Sequence, residues 1–414
     1  MSTGPGTDVQ RATAPTAIMS SRFLVLFAGL LLGLNAFSND ILLPAFYGIA
    51  QDLHTPIERV QSLIPVFLIA AGFGQLVSGP VSDRFGRRPL VFVGLGLALV
   101  GALACALAGS IMALQVGRAV QGFGGAFLVV TARASLRDTQ SGAMLARAMA
   151  LSMAIFATGP IVAPMVGVGL MSIGGWRAVF AGIIAAVGGL FVAALIGYRE
   201  TNPVLDARAL DTDRLLTAFC AVIRNHQSRW FLLIAALLQF AVISMVSNSP
   251  RLFKSQFGIE GAEFALLFAV SASGIIAGQL LNHRLIGRVG VLTATRWAAG
   301  GLMAVAASIV IVTSAGIEHL PLFLVQLTLF NAAFLMVLSN AASLVLEPHR
   351  AIAGLTASLF GFATQITGSV LSLATFGIYG GRILPWSIGL FITTTIVFGA
   401  ITLYRPRYGS SGIV

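Results

Sequence analysis

The chain has 414 residues, 57% of them hydrophobic and only 9% charged. Soluble proteins carry about 25% charged residues, so water alone cannot cover this surface and most of it must face lipid. A net charge of +11 does not indicate nucleic acid here, because the 25 basic residues, all Arg except Lys254, stand singly between oily runs with no basic tail or interleaved aromatic patch.

Roughly 20 apolar residues cross a bilayer, and a helix satisfies its own backbone there. Taking charges and Gly/Pro/Asn clusters as punctuation predicts twelve helical spans. Six lie near 22–49, 59–81, 89–108, 111–132, 146–171 and 178–198. Six more lie near 229–250, 263–283, 291–315, 320–346, 352–378 and 383–404. The expected fold is all-α and polytopic, in two pseudo-symmetric six-helix bundles at 22–198 and 229–404. A polar tail (1–21) precedes them, a charged linker (199–228) divides them, and a short tail (405–414) follows. The first twenty residues carry Asp8 and Arg11 and lack a small-residue cleavage site, so the first span is expected to be a signal anchor. With the N-terminus inside, 19 basic residues fall in inside loops and tails. Five (Arg59, Arg177, Arg251, Lys254, Arg382) fall outside, and Arg118 alone falls within a span. That asymmetry predicts both termini on the cytoplasmic side of the membrane.

In the first span, "NAFSNDILLPAF" places Asn35, Asn39, Asp40 and Pro44 in an oily run. Asp40 is the only acid predicted within a span. A mid-bilayer charge costs about 2.5–3.5 kcal/mol or more, and usually faces a water-filled cavity and a partner. At about 1.5 Å per residue, Asp40 and Arg118 of the fourth span both sit roughly 12–14 Å below the outer surface. They are candidate partners, with Gln121 a turn below Arg118. The pair has two readings: a structural salt bridge, or a carboxylate that exchanges a proton as the cavity fills and empties. Arg118 could also contact substrate itself.

Between spans two and three, "GPVSDRFGRR" supplies Gly79, Asp83, Arg84, Gly86, Arg87 and Arg88. Gly86 allows a tight bend, Asp83 suits a helix N-terminus, and the arginines can fork onto carboxylates. The fourth span ends in "ARASLRD", with Arg133, Arg137 and Asp138. The fifth carries "GPIVAPMVG", with Gly159, Pro160, Ala163, Pro164 and Gly167, whose small residues allow close helix approach and whose prolines bend the helix. Faint internal repetition pairs "GQLVSGPVSDRFGRR" after span two with "GQLLNHRLIGR" after span eight. In the second half, Gln239, Asn248, Asn331, Asn340 and Gln365 are intramembrane polar residues that either bond substrate or tie helices together. Cys105 and Cys220 are expected as reduced thiols without a framework role. Five scattered His form no metal site, and no Gly-rich phosphate loop with Lys is present.

The G-x-x-x-D-R-x-G-R-R loop resembles the signature of the major facilitator superfamily, and the resemblance runs over nearly the whole chain. "GRAVQG" is similar to the family's R-x-x-Q-G element. The resemblance implies that Asp138 pairs with the loop arginines and latches the cytoplasmic side. The "P-x-x-A-P-x-x-G" of span five, with "GWRAVF" and "RET" after it, resembles the bicyclomycin/chloramphenicol (Bcr/CflA) drug:proton antiporter branch. Asp40 and Pro44 hold that group's Asp-x-x-x-Pro spacing. Leu31, Leu32 and Gly33 stand where some relatives carry a second acid. The implied activity is efflux of small hydrophobic or amphipathic drugs across the bacterial inner membrane, and hence antibiotic resistance. It is driven by the proton gradient, without cofactor or metal, with Asp40 as the coupling carboxylate and a monomer as the working unit. The alternative is an importer of a polar metabolite. An enzyme is not expected.

Overall fold

The structure is a computed structural model and describes residues 19–405; residues 1–18 and 406–414 of the expected tails, including Asp8, Arg11 and Arg407, lie outside the described residues. All regular structure among the described residues is helical. Ten helical stretches are long and apolar enough to cross a membrane. Two of them, Gly142–Gly197 and Leu320–Tyr379, run to 56 and 60 residues, where about 20 residues suffice for one crossing. Each is broken in the middle, at Gly174 and Gly175 in the first and at His349 in the second. Dividing the two at those breaks gives twelve segments, the number read from the sequence.

The first predicted span is not one helix. It consists of α1 (Ser21–Asp40), a 3-10 turn (Leu43–Ala45) and α2 (Phe46–Asp52). Pro44 explains the break: it has no N–H to give the carbonyl four residues earlier, which is that of Asp40. Next come α3 (Ile57–Gln61), α4 (Leu63–Phe85), α5 (Arg87–Ala106), α6 (Ile111–Thr139) and the long α7 (Gly142–Gly197). The predicted polar linker contains a helix, α8 (Thr212–Arg224). Asp211 caps it, accepting from the N–H groups of Asp213 and Arg214, and Leu215, Ala218 and Val222 give it one inward stripe. The second half has α9 (His226–Phe257), α10 (Gly261–Val289), α11 (Val291–Ser314) and α12 (Leu320–Leu346). A 3-10 turn (Glu347–Ile352), α13 (Ala353–Tyr379) and α14 (Ile383–Leu403) complete it.

In the first half α6 packs on α4 and α5, and α1 on α7; in the second, α12 packs on α10 and α11, α9 on α13, and α14 on α11. Two contacts join the halves along their length, α4 with α13 and α7 with α10. The α4–α13 seam is built on glycine. Gly72 lies against Gln365 and Ile366, Gly79 against Ser358, and Gly361 against Gln75. The bundle has a loop end, which carries residues 79–88, and a far end opposite it. At the far end the halves are joined by polar contacts: Glu58 pairs with Arg251 at 2.8 Å, and the Gln61 amide donates to the Ser247 carbonyl and to Asn248 Oδ1, both at 3.1 Å.

Candidate functional site

The break in α1 builds the polar centre. At the end of α1, Leu42 N–H turns to the Asn39 carbonyl at 3.3 Å, which leaves the Ser38 carbonyl without its usual i+4 donor. Arg118 takes that carbonyl, its Nη1 donating at 3.1 Å. Nη1 also donates to Gln121 Oε1 at 2.6 Å, and Nη2 donates to Asn39 Oδ1. The guanidinium lies over the Phe67 ring, 4.2 Å from its centroid. Arg118 is fully buried, so these acceptors and the ring face replace the water it has lost. Asn39 is held in turn by the Asn35 carbonyl at 3.1 Å.

Asp40 is adjacent in sequence but separate in bonding. It is 7% exposed, and no hydrogen bond or ion pair engages its carboxylate among the described residues. Arg118 is therefore held by the amide and carbonyl that precede the acid. Three buried polar atoms of the same cluster also have no protein partner: Arg118 Nε, Gln121 Nε2 and Asn35 Oδ1. Each such atom costs about 1–3 kcal/mol if left dry, which marks the cluster as a place where a ligand or water would be held. Glycines bring the helices together around it: Gly122 abuts the Phe67 backbone, and Gly125 faces Asn35 Oδ1.

At the loop end, Arg87 organises the turn. Its Nη1 reaches Asp83 at 2.6 Å and Ser82 Oγ at 2.8 Å, and its Nε reaches Asp138 at 2.8 Å. Arg84 donates to the Ala207 carbonyl, and Arg88 stacks on Phe92. Gly86 has φ +98°, a conformation open to glycine. A residue outside the loop motif completes the turn. The Glu200 carboxylate accepts from the backbone N–H groups of Arg87 (2.8 Å), Arg88 (2.9 Å), Thr201 (3.0 Å) and Asn202 (2.9 Å). It thus caps the N-terminus of α5 from 112 residues away in sequence. The one signal for it was the acid of "RET"; nothing local to the loop pointed there. The linker is anchored to the same turn, with Asp206 N–H donating to the Asp83 carbonyl at 3.0 Å.

On α7, Gly159 lies against Ala36 and Phe37, Gly167 meets the Ile41 backbone, and Ala163 is fully buried. With Pro160 and Pro164 inside the helix, this small-residue face follows α1 past its break. The second-half residues divide. Asn331 donates to the Ser271 carbonyl at 3.1 Å, and Asn340 exchanges two hydrogen bonds with Asn282 at 2.9 and 3.0 Å, so both tie α12 to α10. Asn248 belongs to the far-end contact. Gln239 and Gln365 face each other at 3.5 Å between α9 and α13.

Residues 28–373 match the profile of the Major Facilitator Superfamily. The chain is 27% identical to a bicyclomycin resistance protein homolog from Haemophilus influenzae, over 85% of this chain and 88% of the relative. It is 26% identical to multidrug resistance protein D of Escherichia coli, over 84% and 87%. In fold it is similar to a D-xylose-proton symporter, with a TM-score of 0.74 and 15% identity over 91% of this chain and 97% of the other. With the helical architecture above, the match over most of the chain makes this protein a multi-pass membrane transporter of the Major Facilitator Superfamily.

Proposed function

We propose that the protein exports small hydrophobic or amphipathic compounds across the bacterial cytoplasmic membrane in exchange for protons. The two halves alternate access to a central site, and the loop end faces the cytoplasm. The observation that carries the reading is Asp40: a buried carboxylate at a helix break, beside the Asn39–Arg118–Gln121 cluster and without a bonded partner of its own. A carboxylate already neutralised by an arginine has little reason to take up a proton, whereas this one is free to do so. The neighbouring unpartnered amide and guanidinium atoms supply donors and an acceptor for substrate. Proton and substrate then compete through one small volume, the minimum chemistry for exchange. The resistance relatives support drugs as the cargo, and the positive residues of the 79–88 turn support a cytoplasmic loop end. No cofactor is required, and a monomer contains all the named groups.

The test is proton flux in inverted vesicles energised to an acid interior. Adding an exported drug to the wild type should collapse the pH gradient, and Asp40→Asn should abolish that response while drug binding persists. Normal drug-induced proton flux in Asp40→Asn would overturn the assignment.

A further inference from the structure

A cavity of about 450 Å³ lies at the loop end between the two halves, bounded by α4, α6, the linker and the start of α13. Its volume is in the range of small-molecule sites. Its charged lining consists of Asp83, Arg87, Arg133, Arg137, Asp206 and Arg214. Four of these are mutually neutralised: Arg87 with Asp83 and with Asp138, and Arg214 with Asp206 at 2.6 Å. Arg133 and Arg137 are not. They are four residues apart on α6, so they project from one face of the helix, and neither has an ion-pair or hydrogen-bond partner among the described residues. Two like charges one turn apart repel each other. The wall beside them is oily, with Val130, Met149, Leu346, Ile352 and Leu355.

We propose that this cavity binds an amphiphile bearing one acidic group, a carboxylate, sulfonate or phosphate, with its head on Arg133 and Arg137 and its apolar body against Val130, Met149, Ile352 and Leu355. A guanidinium pair matches the forked geometry of such a head. The cavity lies on the same helix as Arg118 and nearer the loop end, so it is the place where a compound from that side would first be held. Only this direction of travel rests on the exporter reading; the binding site does not.

The probes are 8-anilinonaphthalene-1-sulfonate and N-phenyl-1-naphthylamine, which share a ring system and differ by the sulfonate. Binding to the full-length protein in phosphatidylcholine nanodiscs is measured by equilibrium dialysis against empty discs. The sulfonate should bind at least tenfold tighter than the neutral probe, and raising salt should weaken the sulfonate alone. The Arg133→Gln/Arg137→Gln variant should bring the two affinities within about twofold, while Arg147→Gln, an exposed arginine of the same end outside the cavity, should leave the ratio unchanged. If the double Gln variant does not fold, Arg133→Lys/Arg137→Lys, which keeps the charge, should retain the preference. Equal affinities in the wild type, or an unchanged ratio in the folded double Gln variant, overturn the proposal. Discs containing phosphatidylglycerol separate the sources of the acid: displacement of the sulfonate assigns the site to a lipid head, and no displacement assigns it to a soluble compound. Because binding does not need proton coupling, a preserved ratio in Asp40→Asn keeps this result distinct from the exchange test.

Discussion

Gly86→Ala should be among the most damaging single changes outside the membrane core. Two separate costs can be worked from the structure. The residue has φ +98° and ψ +165°, a region essentially reserved for glycine, where a side chain costs about 1–3 kcal/mol. An added Cβ would also stand 2.5 Å from Glu200 Oε2 and 3.0 Å from its carboxyl carbon, so the carboxylate must shift off the Arg88 N–H that Oε2 accepts from at 2.9 Å. Loss of a helix cap costs about 0.5–2 kcal/mol, giving a total of about 1.5–5 kcal/mol. Glu200→Ala isolates the second cost. In that background the space is empty, and Gly86→Ala should cost only the backbone strain. The coupling in a double-mutant cycle should therefore equal the cap, about 0.5–2 kcal/mol. Hydrogen exchange at the amides of Arg87 and Arg88 reads the cap directly: at about 1.4 kcal/mol per tenfold, Glu200→Ala should speed them roughly 2- to 30-fold. Unchanged exchange at those amides, or strictly additive mutations, would refute the assignment of Glu200 as the cap of α5.

Three further outcomes follow from other contacts. Asn340→Ala removes both bonds to the Asn282 amide, leaving its oxygen unpartnered and its nitrogen only the Ser339 hydroxyl at 3.3 Å, and should lower stability by about 1–3 kcal/mol, with turnover per folded molecule unchanged in reconstituted vesicles; a changed substrate preference would instead make Asn340 a cavity residue. Glu58→Gln removes the far-end ion pair, whose partners are partly exposed, so the effect is held to about 1 kcal/mol; spin-label distances across α3 and α9 should show up to about a fivefold gain in far-end opening. The Arg208 backbone N–H at 2.9 Å and then the Arg214 guanidinium hold the Asp206 carboxyl below its ordinary range. A lowered folded value means that its contribution is present above the ordinary carboxylate range and is lost only as pH falls through the depressed value. Amide protection over residues 206–214, corrected for intrinsic rates, should therefore be the same at pH 5 as at pH 7.

Hydropathy made the spans legible because lipid imposes one rule on every residue of a crossing. The same rule hid the break after Asp40, since Leu42 to Ala45 are as oily as a continuous helix; only Pro44 hinted at it. The Gly174–Gly175 interruption was legible for the same reason in reverse, because glycines are readable punctuation. α8 escaped notice because its apolar stripe of Leu215, Ala218 and Val222 is too short to register as a span. Depth along a helix correctly brought the end of α1 to Arg118, but depth carries no rotation about the axis. It could not tell that Asn39 and the Ser38 carbonyl, and not the Asp40 carboxylate, would meet the guanidinium. The amides of the second half looked alike in sequence. Their partners separate them, and those partners, Ser271 and Asn282, lie 60 and 58 residues away.

The two closures between the halves differ in kind. At the far end a partly exposed ion pair holds the contact beside a buried amide that donates twice, so dissolved ions loosen the ion pair. From the middle of α4 to the loop end, Gly72, Gly361 and Gly79 let α4 and α13 pack closely, an attachment that salt does not weaken and that an added methyl group would. Ionic strength therefore acts as a one-sided lever on this molecule: it eases the far end and leaves the glycine seam as it was. In the exchange cycle proposed above, the balance between forms open to one side or the other would then depend on the composition of the water on either side of the membrane, before any substrate arrives.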